Sequence, residues 1–346
     1  MTRIYLDHAA TTPIRPQAIA AVADGMARWA NPSSPHAEGR AARAALEEAR
    51  TRIKAALGWT GELIFTSGAS EALWIALNRA KLKRRIVSAV EHDAVFRAAP
   101  DATVVPVRGG EVDREALAAL LTGEPAVVAV QHTNSETGTA QPVSALAPMV
   151  RAGGGVLVAD CAQSAGKLAL PDADMIVVSA HKLGGPPGIG ALLVRDLALL
   201  EPVGGHEFGY RQGTENLPAI LGFAEAAVLA GFGQWQVDAG AMQDLKTVLS
   251  RVGDVVAPGV QAAHILAMAM PRLSAAAQLI RFDAMGFAVS AGSACSSGTL
   301  KRSRALAAFG VDEDAASRTI RISFGWNTTA EEIDAFRDAW LEVARA

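Results

Sequence analysis

Asp174-Met175-Ile176-Val177-Val178-Ser179-Ala180-His181-Lys182-Leu183-Gly184-Gly185-Pro186 is the stretch on which the fold of this 346-residue chain turns. Its first half is a branched, apolar run of strand length, the composition of a strand buried on both faces. Its second half is broken by glycines and a proline, so the strand ends in a loop that holds His181 and Lys182 at its carboxyl end.

Outward from this point the same pattern repeats. Strands are expected over residues 62–66, 85–90, 103–107, 126–130, 155–160 and 189–194, with helices over 71–80, 114–121 and 143–151 between them. Apolar runs alternating with helices predict an α/β fold, a mainly parallel sheet flanked by helices. In such sheets ligands sit beyond the carboxyl ends of the strands. Four of those ends are polar: Glu91-His92, His132-Thr133-Asn134-Ser135-Glu136, Asp160 with Gln163, and Ser179 with His181 and Lys182. Ser67-Gly68-Ala69-Ser70 joins a strand to a helix N-terminus, where free N–H groups and the positive dipole end suit a phosphate. The glycine spacing is neither the dinucleotide nor the Walker pattern.

The flanking regions read as follows. A helix over 17–29 precedes the breaker-rich loop Asn31-Pro32-Ser33-Ser34-Pro35-His36, and a long helix over 37–57 carries Arg40, Arg43, Glu47, Glu48 and Arg50 on its wet face. The glycine-punctuated segment 204–216 has the length and polarity of a binding loop. An apolar helix over 217–232 is followed by a composition shift at 234–240, which divides the chain into a large domain, 15–240, and a smaller α+β domain formed by 1–14 and 241–346. That part should hold a helix over 241–252, irregular chain to Ala277, a strand over 319–324 bearing Arg321, and a helix over 330–344 capped by Thr328 or Thr329. Between them Cys295 lies in a run of Gly, Ala and Ser, the setting of an exposed thiol rather than a core residue.

Thirty-two basic and 35 acidic side chains leave a net charge of -3, so no electrostatic footprint for nucleic acid is present. No apolar stretch is long enough to span a bilayer, and the N-terminal residues lack a signal-peptide core, which predicts a cytoplasmic protein with no membrane partner. The two cysteines, Cys161 and Cys295, have no metal-ligand spacing, and no metal is expected. Cys161, directly after Asp160, reads as a small filler.

A phosphate-sized turn, an aspartate after one strand and a lysine after its neighbour together suggest pyridoxal 5'-phosphate. Lys182 would form a Schiff base with the aldehyde, Asp160 would pair with the pyridine nitrogen, and His92 would lie against the ring.

The ordered series Asp7-His8-Ala9-Ala10-Thr11-Thr12-Pro13, Asn31-Pro32-Ser33-Ser34, Glu91-His92, Ser135-Glu136-Thr137-Gly138, Asp160 with Gln163-Ser164, Ser179-Ala180-His181-Lys182, Arg211-Gln212-Gly213-Thr214-Glu215-Asn216 and Gly292-Ser293-Ala294-Cys295 resembles the motifs of cysteine desulfurases, of the class V aminotransferase group of pyridoxal-phosphate enzymes. The resemblance implies an aspartate aminotransferase-like large domain. It implies catalytic roles for Lys182, His92 and Cys295, the last as the nucleophile that receives sulfur from L-cysteine as a persulfide. Ala69, Ser70, Ser179, His181 and, from the other subunit of a homodimer, Thr214 would hold the phosphate. Asn134, Ser135 and Gln163 would contact the ring, Ser135 standing where an asparagine is usual, and Asn31 and Arg321 would grip the substrate carboxylate. An iron–sulfur scaffold or another sulfur acceptor is the implied partner. A selenocysteine lyase or another class V lyase reads the same way, and a non-catalytic partner protein is the remaining alternative.

Overall fold

The strand that ends at Ser179 forms as expected, and six others assemble with it. In the computed structural model, which describes residues 3–231, 239–292 and 303–345, β1 (Ile4–Tyr5) is followed by α1 (Pro16–Arg28) and α2 (Ala37–Leu57). The sheet region contains β2 (Glu62–Thr66), α3 (Ala69–Asn78), β3 (Arg84–Ser88), α4 (Asp93–Ala98) and β4 (Thr103–Val105). A hairpin of β5 (Val107–Arg108) and β6 (Glu111–Val112) leads into α5 (Arg114–Leu120), β7 (Ala126–Gln131) and α6 (Val143–Ala152). Three further strands, β8 (Val156–Asp160), β9 (Met175–Ser179) and β10 (Gly190–Val194), complete it.

The seven strands lie in the order β2-β10-β9-β8-β7-β3-β4. β10 is antiparallel to both of its neighbours and every other pair is parallel, the mainly parallel α/β sheet expected. Alternate residues of one strand face opposite sides. Ile176 and Val178 pack with Leu46 of α2 and Phe223 of α7 (Leu217–Leu229), whereas Val177 packs with Leu73 of α3 and Val95 of α4. Both faces are therefore covered, which is why these strands read as unbroken apolar runs.

The chain continues with α8 (Ala239–Leu249), β11 (Asp254–Val255), β12 (Ile265–Ala269), α9 (Ala275–Ala284) and β13 (Phe287–Ala288). It ends with α10 (Arg304–Ala308), α11 (Glu313–Ser317), β14 (Thr319–Ser323) and α12 (Ala330–Arg345). A three-stranded antiparallel sheet, β11-β12-β14, shares a core with α8, α9 and α12 built around Phe282, Phe336 and Trp340. Leu6 enters that same core, and β1 pairs in parallel with β13. Thr329, of the two candidates, caps α12: it accepts from the Glu332 N–H at 3.2 Å while the Glu332 carboxylate accepts from the Thr329 N–H at 3.0 Å.

Three expectations are corrected. The chain before Ala277 is not irregular, because Ile265–Ala269 becomes the central strand of the small sheet. Its alanines and methionines carry little intrinsic β preference, and pairing on both edges supplies it instead. The strand at 103–107 stops at Val105, where Pro106 breaks it before β5. Arg50 is not on the wet face of α2. Only 5% of it is exposed, and it is buried against Glu207, which is 3% exposed. Among the described residues no helix is long and apolar enough to cross a membrane.

Candidate active site

The parallel strands deliver their carboxyl ends to one edge of the sheet, and a cavity of about 920 Å³ opens there. Gly190 is what allows β10 to fit at this edge, since a Cβ on it would meet the Val178 carbonyl at 2.6 Å and the Gly68 Cα at 2.8 Å. The turn after β2 and the end of β9 are thereby drawn close together. Lys182, Asp160, His92 and Arg321 all line the cavity.

Lys182 follows β9 in a single 3₁₀ turn, Ala180–Lys182, and its Nζ donates to the Ala9 carbonyl. Burial and then the Arg321 charge pull its amine down to about 8, against the smaller opposing effect of Asp160 and Asp7. Asp160 ends β8. Burial pushes its carboxyl up, and the Ala162 N–H at 2.9 Å, His92 and Lys182 oppose that. His92 is the N-cap of α4, its Nδ1 accepting from the Ala94 N–H at 3.2 Å. That bond leaves the proton of the neutral ring on Nε2, and burial lowers the proton affinity of the ring.

Arg321 comes from β14, so the small sheet contributes to an edge built by the large one. Its guanidinium is aimed by Asp7 Oδ1 at 2.7 Å and by the Ser135 carbonyl at 2.9 Å, while Nε has no partner among the described residues. An oriented guanidinium with a free donor suits a carboxylate.

The Ser67-Gly68-Ala69-Ser70 turn opens α3 as expected, and Ala69, Ser70, Ser179 and His181 line the same cavity. The first N–H groups of a helix have no intrahelical partner, and the space a Cβ on Gly68 would take is empty. Gln163 donates from Nε2 to the Ala9 carbonyl at 2.9 Å, leaving its buried Oε1 unpartnered. These are the open polar groups a phosphorylated pyridine ring requires, and the residues fit it. Asn134 also lines the cavity, but its Oδ1 is engaged by the Glu136 and Thr137 N–H groups and its Nδ2 faces the Val90 carbonyl. Its amide holds the turn that orients Ser135.

Asn31 and Thr214 are not in this cavity. Both are exposed and line a separate surface pocket with Trp29 and Pro218. Cys295 lies outside the described residues. The segment 204–216 is not a free binding loop, being tied down through Glu207 to Arg50 and through the His206–Glu215 contact at 3.0 Å. Cys161 is a buried core thiol, its proton affinity raised by burial.

Three further cavity residues, Asp7, Glu91 and Glu136, stand in the quoted motifs without a role assigned to them. Asp7 reads as a turn residue, yet it is the counter-ion of Arg321. Glu91 is buried, accepts from Ser88 and from the Gln131 N–H, and is raised to about 8 chiefly by burial. Glu136 accepts from Ser303 at 2.6 Å, just past the undescribed stretch that contains Cys295. The signal is their own place in those motifs, and for Glu91 and Glu136 the polar strand ends to which they belong.

The sequence profile of the family described as Aminotransferase class-V matches residues 4–336. Cysteine desulfurase IscS 1 of Archaeoglobus fulgidus is 32% identical, over 95% of this chain and 94% of that protein. A cysteine desulfurase of Cereibacter sphaeroides is 36% identical, over 96% of this chain and 94% of that one. Among solved structures, a NifS-like protein from Rickettsia africae superposes with a TM-score of 0.88 at 28% identity, covering 99% of this chain and all of that one. The structure titled SspA in complex with cysteine superposes with a TM-score of 0.79 at 27% identity, over 93% of this chain and 99% of that one.

Proposed function

Because the chain belongs to the aminotransferase class-V family, we infer that it is a pyridoxal-phosphate-dependent cysteine desulfurase, converting L-cysteine to L-alanine and passing the sulfur to Cys295. The observation that carries this reading is the single cavity lined by Lys182, Asp160, His92 and Arg321, on a chain one-third identical to cysteine desulfurases over nearly its whole length.

Pyridoxal phosphate, when bound, supplies an aldehyde for an amine and an electron sink for charge developing on the substrate. The α3 N-terminus, Ala69, Ser70, Ser179 and His181 would hold its phosphate, Asp160 would pair with the pyridine nitrogen, and His92 would lie against the ring. Arg321, held by Asp7 and the Ser135 carbonyl, receives the carboxylate of L-cysteine. Lys182 has its amine pulled to about 8, so part of it is unprotonated near neutral pH and can take the proton from the substrate α-carbon. Cys295, as thiolate, attacks the substrate sulfur: the carbon–sulfur bond breaks, a sulfur–sulfur bond forms, and the carbon skeleton leaves as L-alanine after taking up a proton. Thr214, exposed and away from the cavity, would reach the cofactor phosphate of a second copy of the chain across a homodimer contact. Asn31, in the same surface pocket, acts on the substrate carboxylate across that same homodimer contact.

The test is direct. The purified protein should show the visible absorbance of bound cofactor, and L-cysteine with a reductant should yield sulfide and alanine in equal amounts. Absence of the chromophore, or a chromophore without sulfide, overturns the reading. Cys295→Ser should keep the chromophore and its response to L-cysteine while losing sulfide release.

A further inference from the structure

A second lysine stands behind the first. Lys167 follows the buried turn after β8, and its Nζ is buried with no hydrogen-bond or ion-pair partner among the described residues. It lines a small cavity together with Lys182, Thr12, Arg15 and Trp326, and of these five only Lys182 also lines the large cavity. That space holds about one water molecule and leaves no room for a counter-ion side chain.

An isolated ammonium taken out of water is costly, and proteins ordinarily pair it. Here the surroundings do the opposite. Among the described residues, the titratable groups that face Lys167 are basic: His8 and Arg15 from the N-terminal segment, His181 and Lys182 from the turn after β9, and His264 from the segment before β12. His8 and His264 are themselves held neutral, lowered to about 4 and about 3, first by burial and then by Lys167. His264 Nε2 donates to the Gln163 carbonyl at 2.9 Å, and Thr12 donates to the Lys182 carbonyl at 3.2 Å, so the layer is tied to the turn after β8 and to the catalytic turn.

We propose that Lys167 is a positioning residue for Lys182: the two amines, with no carboxylate between them, compete for one proton, and this competition keeps the Lys182 amine free to act. The proposal rests on the desulfurase reading. Two like charges close together in a water-poor site repel strongly and titrate as a coupled pair. Burial and the Lys182 charge bring Lys167 down to about 7; Lys182, near 8, is faced by Arg321, which lowers it with burial, and by Asp160 and Asp7, which raise it, and the repulsion between the two amines acts on both alike. A proton shared between them leaves each amine free more often than it would be alone.

The experiment uses the full chain, stripped of cofactor, with its lysine side chains isotopically labelled at Cε. Titration by NMR should show two amines with midpoints well below ordinary lysine, and Lys182→Ala should move the Lys167 midpoint up by roughly one unit, the size of a close like-charge effect. Added pyridoxal 5'-phosphate should be taken up by Lys167→Met and by Lys167→Gln with a pH profile displaced upward by about half to one unit, and at pH 7 several-fold more slowly than by the natural chain. A merely structural Lys167 would change stability and leave the profile in place. The proposal is overturned if both variants give the natural profile, or if the Lys167 signal titrates near 10.5 in the natural chain. Should the variants not fold, the natural chain and Lys182→Ala decide the matter by NMR alone. Failure of the natural chain to take up cofactor at any pH overturns the desulfurase reading instead, and the two failures are distinguishable.

Discussion

Arg50 and Lys167 are both cations removed from water, and the molecule treats them in opposite ways. Arg50, on α2, donates to both Glu207 oxygens at 2.7 and 3.0 Å and to Glu47 at 2.9 Å, and its guanidinium lies over the rings of Phe65 and Phe208. The same Glu207 carboxylate accepts the Phe65 N–H of β2 at 2.7 Å. Burial alone would lower the proton affinity of Arg50, but Glu207 and Glu47 outweigh it and raise it. Lys167 has no such partner, and its affinity falls. The paired cation locks the 204–216 segment to the sheet where Glu207 and Phe208 take positive φ of 50° and 58°. The unpaired one stores no such lock, and it sits beside the lysine that does the chemistry. A satisfied buried charge is architecture, whereas an unsatisfied one next to a reactive amine is a means of setting that amine's proton.

The contrast can be broken at several points. Lys182→Ala should abolish covalent cofactor attachment and reduce alanine formation by on the order of a thousandfold or more, the loss expected for a nucleophile and base removed together. Visible spectra and a sulfide assay measure it. Arg50→Met should leave Glu207 as a buried, uncompensated carboxylate and destabilise the fold by about 3–5 kcal/mol, read from denaturant unfolding, while the spectrum of the cofactor in the surviving folded protein is unchanged. If that variant is as stable as the natural chain, the lock assigned to Arg50 does not exist.

Arg321→Gln should raise KM for L-cysteine by about 10- to 100-fold, the equivalent of a charge-assisted hydrogen bond of about 1.5–3 kcal/mol, with cofactor binding retained; an unchanged KM removes Arg321 from substrate recognition. Lys167 also makes a pH prediction for stability. Its folded value near 7 lies below the ordinary 10.5, so between these the unfolded chain binds the proton and the folded chain does not. Stability should therefore rise with pH through that window, and Lys167→Met should show a shallower rise when melting temperatures are compared at pH 7 and pH 10. The smallest effect is expected at Ser303, whose hydroxyl accepts the Leu306 N–H at 3.0 Å to cap α10. Ser303→Ala should cost about 1–2 kcal/mol for the lost cap and the lost donor to Glu136 together, in the same unfolding measurement.

Much of the central sheet was legible because its strands are buried on both faces, and such strands announce themselves as short branched runs. The direction of β10 was not. Gly190–Val194 carries the same apolar run whether it lies parallel or antiparallel, and only its register against Thr66 and Ser179 decides. Arg50 was placed on the wrong face because a charged residue on an amphipathic helix is ordinarily solvated, and the carboxylate that buries it lies 157 residues away. Asn134 shows the same gap at the site. Its place in the motif is plain in the sequence, but that its amide is engaged by the Glu136 and Thr137 N–H groups is visible only in the folded turn.

By itself the sequence determined the alternation of strands and helices, the lysine at the end of β9, the aspartate at the end of β8 and the phosphate-suited turn before α3. These are local facts, set by hydrophobic period and by breakers a few residues away. Tertiary structure alone decided that Asp7 and Ser135 aim Arg321, that Asn31 and Thr214 stand apart from Lys182, and that Lys167 is left without a counter-ion. Each of these depends on which charges meet once distant segments pack, and a charge's partner is a property of space rather than of order along the chain.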